Sequence, residues 1–578
     1  TTRMHKESHQ AMDLVALFAP TVKWGTSIQH PDSIPEIVGK AFRLATTDKF
    51  GACHIDLPEN VARMQTLARP IARSVVDRSA PNPAPVAAAA EVIRKASFPV
   101  ILAGNGVLRN LASESLRAFA RQNGIPVTNT FMGKGCFPPS DPLYLFTVGL
   151  GGRDFTDAAI ERADCVVAVG FDMVEYHPSS WNRGEDKAII HVDMSPAEVD
   201  RNYRTECEIV GDIGLSLDAL TRATAGMPKV DAARYAEFRD ALARDLSAYD
   251  DDQGFPIKPQ RILADVRRVL DDRDIVLSDV GAHKMWIARY LHTEEPNTVL
   301  ITNGFCSMGF ALPGAIGAKY ACPDRKALAI CGDGGVMMNI QELETAVREK
   351  LPIVVLVWTD SQYGLIKWKQ QTQFGKYSHI DFTNPDWMKL AEAFGMAGFR
   401  VTAVDELAPA LREAFAAGKP ALIEVPVDYA ENMKLTRALQ NLPFEELCSR
   451  LKGADLIGEL PDSTLRVLAE DMEDCSFAAG DTIFNEGDPG DALYIVHSGR
   501  VAIRRAGTEI ASHGPGGAFG EMAALSGEPR IASAVAVEDV QASRLKGESF
   551  RELVRAQPEI GLDVSRILAK RLAESMGQ

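Results

Sequence analysis

Residues 327–335 read Ala-Leu-Ala-Ile-Cys-Gly-Asp-Gly-Gly, an apolar strand that runs directly into a glycine-rich turn. Residues 339–349 after this turn predict a helix. Glycines in such a turn let backbone N–H groups approach an anion, with the dipole of the following helix behind them. The pattern therefore predicts an anion site at the end of a buried strand, with Asp333 inside it.

A second acidic residue follows the next predicted strand, which spans residues 353–358. Asp360 stands one helix plus one strand after Asp333, and successive strand ends in a parallel βαβ unit lie at the same edge of the sheet. Both carboxylates can therefore reach one ion, and Mg²⁺ prefers carboxylate and phosphate oxygens. The alternative is two ordinary turns with capping Asp residues. The spacing favours a site for a metal and a diphosphate.

The segment from Gly332 to Asp360 resembles the cofactor signature of thiamine-diphosphate enzymes. That family usually has Asn-Asn at the second strand end, where this chain has Thr359-Asp360. An Asp there also occurs in the catabolic type of acetolactate synthase, which the surrounding residues resemble too. The resemblance implies thiamine diphosphate and a Mg²⁺ ion, and the implied metal ligands are Asp333, Asp360 and the backbone carbonyl of Gln362.

Two further segments resemble the same family. Residues 279–286 correspond to the far side of the diphosphate, which implies a phosphate contact for His283; the alternative is an exposed histidine at a helix start. Residues 303–313 correspond to the segment beneath the cofactor, where Met308 would wedge the cofactor into a bent form that allows an internal proton transfer. Without the family, Met308 is a core methionine. The implied cofactor contacts are His283, Cys306, Met308, Gly332, Asp333, Gly334, Gly335 and Tyr363.

Strands and helices alternate through most of the chain, which predicts an α/β fold with parallel sheets. By resemblance, residues 1–68 are the C-terminal part of a pyrimidine-binding domain, residues 86–225 a central Rossmann-like domain, and residues 255–430 the diphosphate- and Mg²⁺-binding domain. Gly104-Asn105-Gly106 lacks the third glycine of a dinucleotide fingerprint, which favours a tight strand-to-helix turn over a nucleotide site.

The resemblance also implies a glutamate in the N-terminal domain that activates the cofactor. This sequence begins after that region, so we expect a fragment, or a half that needs a partner. Gln10 and Lys23 are expected to face the substrate channel, together with Met308 as the catalytic side chains. The alternative for Gln10 and Lys23 is that both are surface residues.

From about residue 455 the pattern changes to short strands and glycine-rich turns, which predicts an all-β domain. Residues 494–503 read as a hairpin. Residues 519–533 resemble the phosphate-binding cassette of cyclic-nucleotide-binding domains, so residues 455–578 are expected to form such a β-roll, with residues 550–576 as a lid. Arg530 could hold the cyclic phosphate and Glu521 the ribose hydroxyl; the alternative is a salt bridge between them. The implied contacts to cyclic AMP or cyclic GMP are Gly520, Glu521, Met522, Arg530, Ile531 and Ser533.

The resemblance implies a carboligase that decarboxylates pyruvate and condenses it with a second 2-oxo acid to 2-acetolactate, under control of a cyclic nucleotide. Residues 171–182 look like the catabolic type, and the Arg-bearing segment of the anabolic type is absent. This argues against FAD and favours pyruvate as both substrates. The family builds active sites between subunits, which implies a homodimer or homotetramer. The alternatives are another thiamine-diphosphate decarboxylase or carboligase, or a noncatalytic cyclic-nucleotide sensor.

The composition excludes several other classes. The net charge of −16 disfavours binding to nucleic acid or to an anionic membrane. No apolar run is long enough to span a bilayer. The nine cysteines show no metal-like spacing, which predicts reduced thiols in a cytoplasmic protein.

Overall fold

The computed structural model describes residues 12–72, 77–149, 159–160, 162–182, 184–231, 233–430, 432, 472–490 and 492–547. The chain divides into two compact units, Thr1–Leu439 and Gln440–Gln578. Among the helices of the described residues, none is both long enough and apolar enough to cross a membrane.

The first unit begins with a small α/β segment. Its strands β1 and β2 pair in parallel, with Trp24 opposite Cys53 and Ser27 opposite Asp56. All the residues of both strands are only half-buried, whereas parallel sheets are usually covered on both faces. The elements are α1 (Leu14–Phe18), β1 (Trp24–Ser27), α2 (Ile34–Ala45), β2 (Cys53–Asp56) and α3 (Glu59–Ala62).

The second part of this unit is a six-stranded sheet in the order β5-β4-β3-β6-β7-β8, with every pair parallel. This order is that of a Rossmann fold, with the reversal of strand order between β3 and β6. The strands are β3 (Pro99–Ala103), β4 (Val127–Thr130), β5 (Tyr144–Val148), β6 (Cys165–Val169), β7 (Ala188–Asp193) and β8 (Thr205–Val210). The helices are α4 (Pro83–Lys95), α5 (Asn105–Arg109), α6 (Ser113–Asn123), α7 (Ile213–Ala223) and, beyond the sheet, α8 (Ala233–Ser247).

Apolar side chains explain why this sheet is covered on both faces. Every residue of β3 and of β6 is buried, as expected for central strands of a parallel sheet. Alternate residues of β3 enter separate cores: Ile101 and Ala103 pack in one, and Val100 and Leu102 in the other. Helices therefore lie on both sides, which confirms the predicted α/β class.

The third part of the unit is another parallel six-stranded sheet, in the order β10-β9-β11-β12-β14-β13. Its strands are β9 (Ile275–Ser278), β10 (Val299–Ile301), β11 (Ala327–Gly332), β12 (Val354–Thr359), β13 (Ala397–Arg400) and β14 (Ala421–Pro426). Its helices are α9 (Pro259–Val269), α10 (Ala282–Tyr290), α11 (Ala311–Ala321), α12 (Asp333–Val336), α13 (Glu342–Arg348), α14 (Gly364–Phe374), α15 (Trp387–Phe394) and α16 (Leu407–Ala416).

The order of this sheet reverses between β9 and β11. In open parallel sheets, ligands bind at such a reversal, outside the carboxyl ends of the strands. The residues that follow β9, β11 and β12 are therefore the ones to inspect, and they include Asp279, Asp333 and Asp360.

The second unit contains two antiparallel four-stranded sheets, in the orders β15-β22-β17-β20 and β16-β21-β18-β19. The strands are β15 (Met472–Phe477), β16 (Thr482–Phe484), β17 (Ala492–Ser498), β18 (Val501–Arg505), β19 (Thr508–His513), β20 (Ala518–Phe519), β21 (Ser533–Ala536) and β22 (Val540–Lys546). The helix α17 (Glu521–Ser526) follows β20. Two antiparallel sheets agree with the expected β-roll; the expected lid at residues 550–576 lies outside the described residues.

The predicted hairpin at residues 494–503 is wrong. β17 pairs with β20 and β22, whereas β18 pairs with β19 and β21. The connection at Gly499 has φ 82°, and a Cβ atom there would lie 2.2 Å from the carbonyl oxygen of Asp539. Only glycine fits this contact, and the chain passes from one sheet into the other.

Candidate active site and second ligand site

Asp333 and Asp360 follow two paired strands of the last parallel sheet. Gly332 at the end of β11 lies opposite Trp358 of β12, so the residues after both strands meet at one edge. Oδ2 of Asp333 accepts hydrogen bonds from the backbone N–H groups of Asp360 at 3.2 Å and Ser361 at 2.7 Å. The structure therefore brings the two predicted carboxylates together.

The two carboxyl groups influence each other's ionisation. Burial, together with the negative charge of Asp333, raises the pKa of Asp360 to about 7. A pair of carboxylates in a desolvated site disfavours a second negative charge, and a divalent cation relieves this repulsion. Among the residues that the structure describes, no cluster of three or more acidic, His or Cys side chains is arranged for a metal. A cation here would need oxygens from the backbone or from a bound phosphate as well.

Asn384 also contacts the carboxylate of Asp333, and the sequence pattern did not indicate this contact. Its Nδ2 donates to Oδ2 of Asp333 at 2.7 Å and to Oγ of Ser361 at 3.2 Å. Asn384 lies just before α15, far from Asp333 along the chain, so no local spacing signals this contact. It fixes the rotamer of Asp333 and so orients the carboxylate.

Gln362, the third predicted metal ligand, lies in the turn between Asp360 and α14. Its backbone N–H donates to Oδ1 of Asp360 at 3.3 Å. Its side chain is held by other groups: Nε2 donates to Asp381 at 2.6 Å, and Oε1 accepts from Nζ of Lys367 at 2.7 Å. The side chain is thus engaged, which leaves the backbone carbonyl as the atom relevant to a metal.

The glycine turn at residues 332–335 is enclosed by side chains. A Cβ atom at Gly334 would lie 3.0 Å from the ring of Tyr363, and one at Gly335 would lie 2.4 Å from Oδ2 of Asp279. Tyr363 packs on Phe382 with ring centroids 5.0 Å apart and remains 39% exposed. The turn therefore needs glycine for space, and Tyr363 forms one accessible wall beside it.

His283 occupies the second position of α10 and faces the same turn. It is only 2% exposed, so the alternative of an exposed helix-start histidine is wrong. A Cβ atom at Gly332 would lie 3.2 Å from its Nδ1, and its buried Nε2 has no hydrogen-bond partner among the described residues. Burial lowers the pKa of His283 to about 4, so the imidazole is neutral and has one ring nitrogen to offer a ligand.

Asp279 connects this turn to the loop that carries Met308. Its Oδ1 accepts from the backbone N–H of Gly309 at 2.8 Å and of Phe310 at 3.0 Å. Gly309 has φ 85°, and Nδ2 of Asn339 donates to its carbonyl at 2.8 Å. Met308 itself is half-buried. The sequence pattern did not indicate a role for Asp279, because its hydrogen bonds are made to a loop that lies far away in the chain.

Cys306 lies in the same loop, two residues before Met308. Its Sγ accepts a hydrogen bond from Nζ of Lys284 at 3.2 Å and lies 3.8 Å from Oδ1 of Asn303. Asn303 in turn donates to the carbonyl of Val174, in the Rossmann-like part, at 3.3 Å. The loop is thus fixed both to α10 and to the preceding sheet.

These residues fit thiamine diphosphate and Mg²⁺. The carboxylate pair suits a hard cation, the glycine turn leaves room for a diphosphate, and Nε2 of His283 and Oδ2 of Asp279 are buried polar atoms without hydrogen-bond partners in the described part of the chain. Buried polar groups normally have partners. A polar ligand at this edge would provide them.

The second unit contains the other predicted site. Gly520 has φ 80° and precedes α17. Arg530 is buried: its Nη1 donates to the carbonyl of Gly520 at 2.8 Å, its Nη2 donates to the carbonyl of Ala492 at 2.6 Å, and its guanidinium lies 4.1 Å from the ring centroid of Phe484. These contacts hold the guanidinium beside the turn that begins α17.

The structure also describes the other predicted nucleotide contacts. Met522 and Ile531 are exposed large apolar residues, and Oγ of Ser533 accepts from the backbone N–H of Glu486 at 2.9 Å. Glu521 is the first residue of α17.

Three family models match the chain. The thiamine pyrophosphate enzyme central domain matches residues 86–220, the C-terminal TPP-binding domain of these enzymes matches residues 279–425, and the cyclic nucleotide-binding domain matches residues 474–557. Acetolactate synthase from Bacillus subtilis (strain 168) is 35% identical over 454 residues, which are 76% of this chain and 78% of the relative. The chain belongs to the acetolactate synthase family.

Other acetolactate synthases are similar to a comparable extent. The catabolic acetolactate synthase of Raoultella terrigena is 32% identical over 438 residues, which cover 73% of this chain and 77% of the relative. A probable acetolactate synthase large subunit from Methanocaldococcus jannaschii is 34% identical over 451 residues, which cover 75% of this chain and 76% of the relative. The matches confirm a thiamine-diphosphate-dependent enzyme family fused to a cyclic-nucleotide-binding domain.

Lys23, for which the resemblance implies a place facing the substrate channel, contacts backbone carbonyls in this structure. Its Nζ donates to the carbonyls of Leu44, Thr47 and Lys49 at 2.9, 2.8 and 2.8 Å. An ammonium group has three N–H donors, and all three are used at the C-terminal end of α2 and the turn after it. Lys23 is therefore a structural residue. Gln10 lies outside the described residues.

The turn after β3 does not form a nucleotide site. A Cβ atom at Gly104 would lie 2.3 Å from the carbonyl oxygen of Gly170, and one at Gly106 would lie 2.5 Å from Cα of Gly170. These glycines allow the turn after β3 to pack closely against Gly170, which follows β6. The backbone N–H of Asn105 donates to Oε1 of Glu175 at 3.4 Å, so a side chain of the protein already occupies the position of an anion.

Proposed function

We propose that this chain is a catabolic-type acetolactate synthase that condenses two molecules of pyruvate into 2-acetolactate and CO₂, with its activity controlled by a cyclic nucleotide. The single observation that carries the proposal is the partly buried contact between Asp333 and the turn of Asp360 at the reversal point of the last parallel sheet. It lies in a chain that is similar to acetolactate synthases over three quarters of its length.

Within this proposal, Asp333, Asp360 and the backbone carbonyl of Gln362 hold Mg²⁺. The turn at residues 332–335, His283 and Tyr363 bind the diphosphate end of thiamine diphosphate, and Cys306 and Met308 lie beneath the cofactor. When bound, the cofactor supplies the electron sink for loss of CO₂ from a 2-oxo acid. The protein supplies the positions: Asn384 orients Asp333, and Asp279 fixes the loop of Met308.

FAD is not part of the proposal, because the residues after β3 do not fit it. A dinucleotide needs free backbone N–H groups and glycines that leave room for a pyrophosphate. Here Glu175 takes the N–H of Asn105, and Gly104 and Gly106 are packed against Gly170. Burial raises the pKa of Glu175 to about 7, because a negative charge is disfavoured in this desolvated turn.

For the second unit we propose that Gly520, Glu521, Met522, Arg530, Ile531 and Ser533 bind cyclic AMP or cyclic GMP. The guanidinium of Arg530 is buried and held in a fixed orientation, which suits bidentate binding of a cyclic phosphate. Coupling between a regulatory and a catalytic site is typically worth about 1–3 kcal/mol. We also propose a homodimer or homotetramer, supported by large apolar side chains such as Leu17, Phe42 and Leu67 that this protomer leaves exposed.

The experiment is pyruvate turnover with thiamine diphosphate and Mg²⁺, with identification of the product, in the presence and absence of cyclic AMP and of cyclic GMP. We expect 2-acetolactate, and a change in rate or pyruvate affinity of about 5-fold or more at saturating nucleotide. Acetaldehyde as the sole product would instead indicate a simple decarboxylase. Nucleotide binding with no turnover and no cofactor binding would indicate a noncatalytic sensor.

A further inference from the structure

Lys284 is a buried lysine at the edge of the candidate active site. It follows His283 in α10, is 7% exposed, and its Nζ donates to Sγ of Cys306 at 3.2 Å. The ammonium also lies 5.1 Å from the ring centroid of Phe131, which belongs to the preceding Rossmann-like part. A positive charge is therefore held between α10, the loop of Cys306 and Phe131.

The charge of Lys284 is poorly compensated. A thiol is a weak hydrogen-bond acceptor, and an ammonium has three donors. Within the described part of the chain, the salt bridges include no carboxylate partner for Lys284. Buried charges are normally paired, because desolvation of an isolated charge is costly. The charge also acts on its neighbour: burial and, to a smaller extent, the charge of Lys284 lower the pKa of His283.

Lys284 lies next to residues of the candidate cofactor site. Cys306, its partner, lies two residues before Met308, and Asn303 of the same loop contacts Val174. His283, its neighbour in the chain, contacts the glycine turn at Gly332. Lys284 thus lies where the cofactor loop, α10 and the Rossmann-like part meet, beside the groups that fit the cofactor.

The substrates of the proposed reaction are anions. Two pyruvate ions and one proton give one 2-acetolactate ion and CO₂, so the donor pyruvate loses its carboxylate and the acceptor pyruvate keeps it. The acceptor carboxylate therefore needs a cation throughout the reaction. Lys284 is a buried cation that contacts the loop of Met308 directly, through Sγ of Cys306.

We propose that Lys284 binds the carboxylate of the acceptor 2-oxo acid and so determines that the acceptor is an acid. This inference rests on the proposed function, because it assigns the acceptor of that same reaction. The ammonium would exchange the weak thiol contact for a charge-assisted hydrogen bond to a carboxylate oxygen, which is about twice as strong as a neutral one. Cys306 then holds the side chain in place when no substrate is bound.

The test compares an acceptor with a carboxylate and one without it. Pyruvate alone gives acetolactate, whereas pyruvate with added acetaldehyde also gives acetoin, since one pyruvate ion, one acetaldehyde and one proton give acetoin and CO₂. We expect Lys284→Met to lower the ratio of acetolactate to acetoin by about 10-fold or more, mainly through the KM for the acceptor. Lys284→Arg, which keeps the charge, should recover most of the ratio.

A matched control is Lys319→Met, because Lys319 is also a helical lysine, and its ammonium contacts only the carbonyls of Pro323 and Arg325. This control should keep the wild-type ratio. An equal fall of acetolactate and acetoin in Lys284→Met, with no recovery in Lys284→Arg, would mean that Lys284 only supports the fold, and the inference would be wrong.

Binding of oxamate, a pyruvate-shaped carboxylate, separates the two proposals. If the wild-type chain makes no acetolactate, the proposed function fails, and calorimetric titration with oxamate still tests Lys284. A dissociation constant raised about 10-fold or more in Lys284→Met but not in Lys319→Met supports the carboxylate contact. Equal dissociation constants for oxamate in the wild type and in Lys284→Met would overturn it.

Discussion

Oδ1 of Asp279 accepts the backbone N–H of Gly309 at 2.8 Å. This hydrogen bond joins the end of β9 to the loop that carries Met308, and the neighbouring N–H of Phe310 donates to the same oxygen at 3.0 Å. Asp279 is fully buried, and its other oxygen faces the glycine turn at Gly335. The carboxylate of Asp279 therefore fixes the loop that carries Met308 relative to the glycine turn of the candidate cofactor site.

Asp279→Ala should weaken thiamine-diphosphate binding by about 10-fold or more. Hydrogen bonds to a charged group contribute about 1.5–3 kcal/mol each, and about 1.4 kcal/mol corresponds to a factor of 10. The measurement is calorimetric titration of the cofactor in the presence of Mg²⁺, with Asp324→Ala, an exposed acidic residue, as the control. Unchanged affinity in Asp279→Ala would show that the loop does not depend on this carboxylate.

Asp360→Asn should change stability and metal binding in opposite directions. The charge of Asp333 and burial both disfavour the ionised Asp360, so removal of this charge should raise the melting temperature without metal. The same change replaces an anionic oxygen ligand by a neutral amide oxygen, the group that this family usually has at this strand end, and should lower Mg²⁺ affinity by less than complete removal of the ligand would. Thermal melts and Mg²⁺ titrations check both effects, with Asp324→Asn as the control. A lower melting temperature with unchanged Mg²⁺ affinity would contradict the metal assignment.

Glu175→Gln should alter how stability depends on pH. The pKa of Glu175 is raised by burial to about 7, above the unfolded value, so the folded protein holds this proton more tightly. Its contribution is complete below about pH 4.5 and is lost as pH rises through about 7. Melts of the wild type from pH 5 to 8.5 should therefore show a decline that is smaller in Glu175→Gln. If the melting temperatures of the two proteins declined equally with pH, Glu175 would not be a buried, uncharged group.

Arg530→Ala should reduce cyclic-nucleotide affinity by about 100-fold, because truncation of one member of a buried charge pair costs about 2–5 kcal/mol. Arg530→Lys should recover only part of it, since lysine lacks the planar fork that contacts Gly520 and Ala492. Titration with cyclic AMP and cyclic GMP provides the measurement, and Arg504→Ala on β18, an exposed arginine, is the control. An equal loss of nucleotide affinity in Arg504→Ala would mean that the overall positive charge, and not this site, determines binding.

The sequence predicted the interior of both parallel sheets better than their borders. Apolar runs at residues 99–104, 125–128, 165–170, 188–193, 275–279, 327–331, 353–358 and 421–425 predict eight strands. They correspond to β3, β4, β6, β7, β9, β11, β12 and β14, which are the interior strands of the two sheets. The missed strands β5, β8, β10 and β13 are the four edges. β8 mixes buried, half-buried and exposed positions, and β13 has only half-buried and exposed ones. Only one side of an edge strand is paired, so the composition of these strands resembles that of loops.

The site residues also differ in whether local sequence could predict their contacts. Asp333 and Asp360 end neighbouring strands, so local spacing was enough to predict their contact. Asn384 and Asp279 act through contacts to residues far away in the chain, and no pattern within one segment indicates them. The position of Lys23 in the sequence does not reveal that three carbonyls converge on its ammonium group.

The central claim is that the edge formed by Asp333 and Asp360 binds thiamine diphosphate through Mg²⁺. Calorimetric titration of the chain with thiamine diphosphate, with Mg²⁺ and then with excess chelator, tests it most directly. The account predicts saturable binding that requires Mg²⁺ and is lost in Asp333→Asn. Binding that is equally tight without Mg²⁺, or in Asp333→Asn, would contradict it.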